Sequence, residues 1–65
     1  MKITFNGKLQ NVTFEITAAE LLIENGYKSR TSIWVNGKQL LKSEYETFVI
    51  PEGALVKALR VIGGG

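Results

Sequence analysis

Two Asn-Gly dipeptides, Asn6-Gly7 and Asn36-Gly37, constrain this chain more than any other feature of it. A two-residue type I′ turn needs φ > 0 at both central positions, and Asn-Gly satisfies that at least cost. Asn6-Gly7 separates Lys2–Phe5 from residues 8–14, and Asn36-Gly37 separates Ser32–Val35 from residues 38–41. Both flanks carry apolar residues at strand spacing, so each dipeptide predicts a β-hairpin. Two hairpins inside 65 residues leave little chain for anything else.

The segment between the hairpins predicts one helix, over about residues 18–25. Thr17 and Glu20 make a T-x-x-E capping box, and Ile16 can pack against Leu21 as the matching staple. Ala18, Leu21 and Leu22 share one face at helical spacing. Gly26 offers the left-handed residue that ends the helix, and a Schellman motif brings Tyr27 back onto Leu22. After the second hairpin, residues 42–47 are polar and irregular. Phe48, Val49 and Ile50 form a short apolar run before the turn Pro51-Glu52-Gly53. Residues 55–61 are the last strand.

The order is therefore β-β-α-β-β-β, an α+β fold with a mixed sheet and one helix packed on one face. The simplest closure sets the last strand beside the first, in parallel, at the centre. Period-two alternation then assigns faces. Ile33, Val35 and Leu40 point to the core, and Trp34 points away. In the first hairpin Ile3, Phe5, Val12 and Phe14 group together and Leu9 lies opposite. In the last strand Val56 and Ala58 go one way, and Lys57, Leu59 and Val61 the other. Residues 1–62 form one domain, and residues 63–65 a flexible glycine tail. A chain this short buries about 60% of its unfolded surface, so its stability is on the order of 3–5 kcal/mol.

Composition removes most chemistry. There is no Cys and no His, every acid is Glu, and eight Lys and Arg against six Glu give +2. Without Cys there is no disulfide, thiol nucleophile or thiolate metal site. Without His the commonest general base and metal ligand are missing. An enzyme is not expected, nor a metal site. No stretch approaches the roughly 18–20 apolar residues of a membrane span, and the polar N-terminus is no signal peptide. The scattered cations lack the clustered patch that nucleic-acid binding requires. A cytoplasmic chain, monomeric when free, is expected.

The order of elements, the Asn-Gly hairpin and the terminal Gly-Gly resemble the ubiquitin-like β-grasp fold. Within it the chain resembles the ThiS family, the sulfur carriers of thiamine biosynthesis in the ThiS/MoaD superfamily. The resemblance runs through MKITFNGK, ITAAELLIENGY, IWVNGKQL and FVIPEGALVKALRVIGGG. Gly64-Gly65 is its specific element. Two departures are the third glycine, Gly63, and Trp34, where a smaller residue is more usual. The small subunit of molybdopterin synthase is similar in design but longer.

That resemblance implies a substrate and carrier. An E1-like adenylating enzyme of the ThiF type would activate the Gly65 carboxylate with ATP-Mg, a cofactor this chain does not itself bind. Sulfur delivered through a persulfide would make a thiocarboxylate, and a ThiG-type thiazole synthase would accept the sulfur. The residues suit this role. A C-terminal carboxylate titrates near ~3.5 and is ionised at neutral pH. Gly63, Gly64 and Gly65 carry no Cβ and can thread a narrow channel. Nothing in the sequence fixes the acceptor: molybdopterin, a thiolated tRNA base or a sulfur amino acid fits equally. A ubiquitin-like modifier would need the same Gly65 activation, and a plain interaction module would need none.

Trp34, Leu59 and Val61 form the expected partner-contact face, because Trp anchors interfaces with large area and few rotatable bonds. The alternative, that Trp34 folds over the sheet as satellite core, stays open. Lys57 and Arg60 either meet an acidic rim on the activating enzyme or are simply solvated strand residues. Glu20 is a cap, Glu24 an exposed helix residue, and Tyr27 and Tyr45 are packing residues.

Overall fold

A computed structural model describes residues 1–28 and 30–60. The elements are β1 (Lys2–Phe5), β2 (Lys8–Asn11), α1 (Ala18–Glu24), β3 (Ser32–Val35), β4 (Lys38–Gln39) and β5 (Leu55–Leu59), with a 3-10 turn at Lys42–Glu44. The five strands form one mixed sheet in the order β2-β1-β5-β3-β4. β5 is central, parallel to β1 and antiparallel to β3. This is the expected ubiquitin-like β-grasp.

Both turns have the backbone that Asn-Gly suits: φ is +48° and +82° at Asn6 and Gly7, and +51° and +84° at Asn36 and Gly37. The second hairpin pairs Trp34 with Gln39 and Val35 with Lys38, as the two-residue turn requires. The helix begins as its sequence dictates. The Glu20 carboxylate accepts from the Thr17 N–H at 2.9 Å, and Thr17 Oγ1 accepts from the Glu20 N–H at 3.2 Å. It ends in a full Schellman motif. The Tyr27 N–H donates to Leu22 O at 2.8 Å and the Gly26 N–H to Ile23 O at 3.0 Å, with Gly26 at φ +77°.

One face of the sheet packs against α1. Ile3, Phe5, Ile33, Val35, Val56 and Ala58 from the strands share a core with Ala18, Leu21 and Leu22 from the helix. Ile16, Leu40, Tyr45 and Ile50 close it. Tyr45 is the packing residue expected of it, and its hydroxyl donates to Thr31 O at 2.8 Å. Burial pushes its phenol above the ordinary value.

Three sequence expectations are corrected. β2 stops at Asn11 instead of Phe14. Phe14 is therefore not in the core with Ile3, Phe5 and Val12; it is 73% exposed. The physical reason is the turn that follows Val12, where the Ile16 N–H bonds Thr13 O and Glu15 takes φ +67°. Once the backbone turns, alternation no longer predicts facing. β4 is only Lys38–Gln39, though the Leu40 N–H still bonds Ile33 O at 3.0 Å. Among the described residues β5 ends at Leu59. The run at residues 48–50 adds no strand to the sheet; it makes an isolated bridge from Val49 to Thr17, which ties the loop to the helix start.

Candidate functional site

The sheet face away from α1 is the surface that alternation leaves uncovered. Trp34 in β3 lies opposite Lys57 in β5, so Leu55 and Leu59 are its diagonal neighbours. Trp34 is half-buried, while Leu55 and Leu59 are 62% and 57% exposed. Thr4, Gly7, Gly37 and Lys57 complete an open, mainly apolar groove of about 570 Å³ around these three side chains. Leu9, on the neighbouring edge, is 75% exposed and lies in register with Thr4. A 65-residue chain that buries Ile3, Leu21, Ile33 and Ile50 almost completely leaves Leu9, Leu55 and Leu59 on one face. Contiguous apolar surface of this kind marks interaction sites.

The structure thus brings Trp34 and Leu59 together. Val61, Gly63, Gly64 and Gly65 lie outside the described residues, as does the boundary expected at residue 62. Trp34 is half-buried and still lines the open groove. Sequence reasoning missed Leu55. The alternation that placed Lys57 and Leu59 on this face, carried one step back, reaches it.

The groove is framed by the two turns, whose asparagines do more than turn the chain. β5 is gripped at both ends by their side chains. Asn36 Oδ1 accepts from the Leu55 N–H at 2.9 Å, and the Asn36 N–H donates to Leu55 O at 2.7 Å. On the other side Asn6 Oδ1 accepts from the Ala58 N–H at 2.8 Å, and Asn6 Nδ2 lies 3.3 Å from Ala58 O. The β1–β5 ladder has by then lost its strand partner, because β1 turns away after Phe5. The Asn6 amide takes the place of the missing backbone. These bonds hold Leu55 and Leu59 where the groove needs them.

Arg60, the last described residue, does not lie free. Its guanidinium carbon is 4.7 Å from the centroid of the Tyr27 ring. Lys57 is exposed on the groove side. Among the described residues no three acidic side chains come together as metal ligands would. Nor, among them, is any helix long and apolar enough to cross a membrane.

The sequence and architecture are similar to those of two solved structures. One is the crystal structure of a thiamine biosynthesis protein (ThiS) from Geobacter metallireducens, with 28% identity over 100% of both chains and a TM-score of 0.81. The other is the NMR solution structure of a thiamine biosynthesis protein from Geobacter metallireducens, 26% identical, covering 100% of this chain and 88% of that one, with a TM-score of 0.79. No family model and no curated protein matches the chain.

Proposed function

We propose, from a ThiS-type sequence and fold that extend over the whole chain, that this protein is a sulfur carrier in thiamine biosynthesis. The observation that carries the reading is the full-length match, 28% identical at a TM-score of 0.81, to a thiamine biosynthesis protein (ThiS). The chain's own Gly63-Gly64-Gly65 supplies the chemistry.

The reactive group is the Gly65 carboxylate, and the protein acts as substrate and carrier, with catalysis left to its partners. The ionised carboxylate attacks the α-phosphorus of ATP on an E1-like enzyme of the ThiF type, and pyrophosphate leaves. The terminal sulfur of a persulfide on the sulfur-delivering partner then attacks the acyl carbon and displaces AMP, giving an acyl disulfide. A second thiol of that partner cleaves the S–S bond, becoming a disulfide and leaving a thiocarboxylate that a thiazole synthase of the ThiG type consumes. All of this takes place in the cytoplasm. Holding three glycines in one conformation inside a partner's channel costs backbone entropy, which opposes binding. The folded body must offset it. The groove of Trp34, Leu55 and Leu59, with Val61 assigned to the same face by alternation in sequence, is the surface that docks on the activating enzyme and delivers the carboxylate already oriented.

Intact-mass measurement on the protein isolated from its own cells tests the reading. A species with one oxygen replaced by sulfur is expected. Finding only the free carboxylate, with or without activating enzyme and ATP, sinks it, and isopeptide-linked conjugates would identify a modifier instead. Removing Gly65, or adding one residue after it, is expected to abolish activation and leave folding intact. Trp34→Ala is expected to weaken binding to the activating enzyme by about 2 kcal/mol or more, with the fold retained by circular dichroism.

A further inference from the structure

The bonds around Tyr27 join three separate parts of the chain at the point where β5 ends. Its backbone position is fixed by the Schellman motif, through the 2.8 Å bond from the Tyr27 N–H to Leu22 O. Its ring stands edge-on to the buried Phe5 ring, with centroids 5.7 Å apart and planes at 82°. Its hydroxyl accepts from Asn6 Nδ2 at 3.0 Å. The same Asn6 amide bonds the Ala58 N–H at 2.8 Å. The other side of the assembly is the Arg60 guanidinium, 4.7 Å from the ring centroid. The helix end, the first turn and the end of β5 therefore meet on one aromatic ring.

We infer that Tyr27, held by Asn6 and Phe5, is a positioning residue that clasps Arg60 and fixes where the C-terminal tail leaves the fold. The inference rests on the carrier reading above. Five residues follow Arg60. With Arg60 clasped, the residues that follow it can reach at most about 17 Å. With the clasp open, the tether starts at least one residue earlier and its root can swing. The carboxylate then reaches the activating site at lower effective concentration and in more orientations. Tyr27 touches neither ATP nor the reacting carboxylate. It sets the origin and heading of the tail, while the groove around Trp34 sets the docking of the body.

The test combines a partner-free readout with a kinetic one. In the wild type the Arg60 side-chain methylene protons should be shifted upfield in the NMR spectrum by the Tyr27 ring, and Tyr27→Leu should remove that shift. With the activating enzyme and ATP, Tyr27→Leu should lower kcat/KM by about threefold to tenfold. Affinity measured without ATP should not change, because docking uses the other surface. Tyr27→Phe keeps the ring and should recover most of the rate.

A direct contact of Arg60 with an acidic rim on the enzyme is the competing account, and a double-mutant cycle separates the two. If the clasp operates, Tyr27→Leu combined with Arg60→Gln is no worse than the worse single variant. Additive losses, a wild-type rate for Tyr27→Leu, or no upfield shift at Arg60 would each overturn the inference. If Tyr27→Leu does not fold, Arg60→Lys decides. A rim contact accepts the lysine charge, whereas the broad guanidinium face over the ring is lost. The clasp therefore requires a loss like that of Arg60→Gln, and a wild-type rate for Arg60→Lys overturns it. Should the wild-type chain never be activated, the carrier reading fails by itself, and the Arg60 shift still reports whether the clasp exists.

Discussion

The two Asn-Gly turns are nearly identical in backbone and different in what they hold. Asn6-Gly7 and Asn36-Gly37 differ by only a few degrees in φ. Each places an asparagine beside β5 and gives it a carboxamide bond. Asn36 meets the entry of β5 with a single side-chain bond, to Leu55. Asn6 meets its exit with side-chain bonds to Ala58 and to the Tyr27 hydroxyl. The same dipeptide thus does a local job at one end of the strand and joins three elements at the other. Turn type follows from the dipeptide, but what its side chain does follows from where the sheet puts it.

Substitutions can break that comparison in order of size. Asn6→Ala is expected to cost the most, about 2–3 kcal/mol, from its lost side-chain bonds and an alanine forced to positive φ. In a domain this small that is a large share of the total stability, and urea midpoints would show it. Asn36→Ala loses one bond and bears the same strain, so about 1.5–2 kcal/mol is expected. Hydrogen exchange should place the two losses separately, at the Ala58 amide in the first variant and at the Leu55 amide in the second. A cost for Asn36→Ala equal to or above that of Asn6→Ala would remove the asymmetry. Gly7→Ala and Gly37→Ala should match each other at about 1 kcal/mol, since both have positive φ and a Cβ at either would meet nothing within 4 Å. Unequal glycine costs would mean the turns differ in backbone after all. The smallest effect expected is that of Asn36→Gly, about 0.5–1 kcal/mol, which removes the bond and relieves the strain.

The elements legible in the sequence were those whose determinants are local. A type I′ turn, a capping box and a Schellman motif each depend on a few neighbouring residues, and all appear where Asn-Gly, Thr17-to-Glu20 and Gly26-Tyr27 place them. Alternation put Trp34 and Leu59 on the uncovered face because both sit inside regular strands. It failed at Phe14, where a turn with Glu15 at φ +67° interrupts the strand. Contacts made through the sheet were not legible. Asn6 and Ala58 are 52 residues apart, and no local signal links them. The contact of Arg60 with the Tyr27 ring likewise depends on β5 running next to β1, which brings Arg60 past the end of the helix. The sequence offers Arg60 a rim contact or solvent, whereas the fold gives it a partner within its own chain.

The central position of β5 has a mechanical consequence. The strand is bonded to β1 on one side and β3 on the other. Consider a force applied to Leu59 along the strand axis. Ladder bonds run roughly across the strand direction, so such a pull loads both rows in shear, with all bonds sharing the force. An edge strand pulled outward would be peeled open one bond at a time. A load entering the domain along β5 is therefore borne without prising the sheet apart.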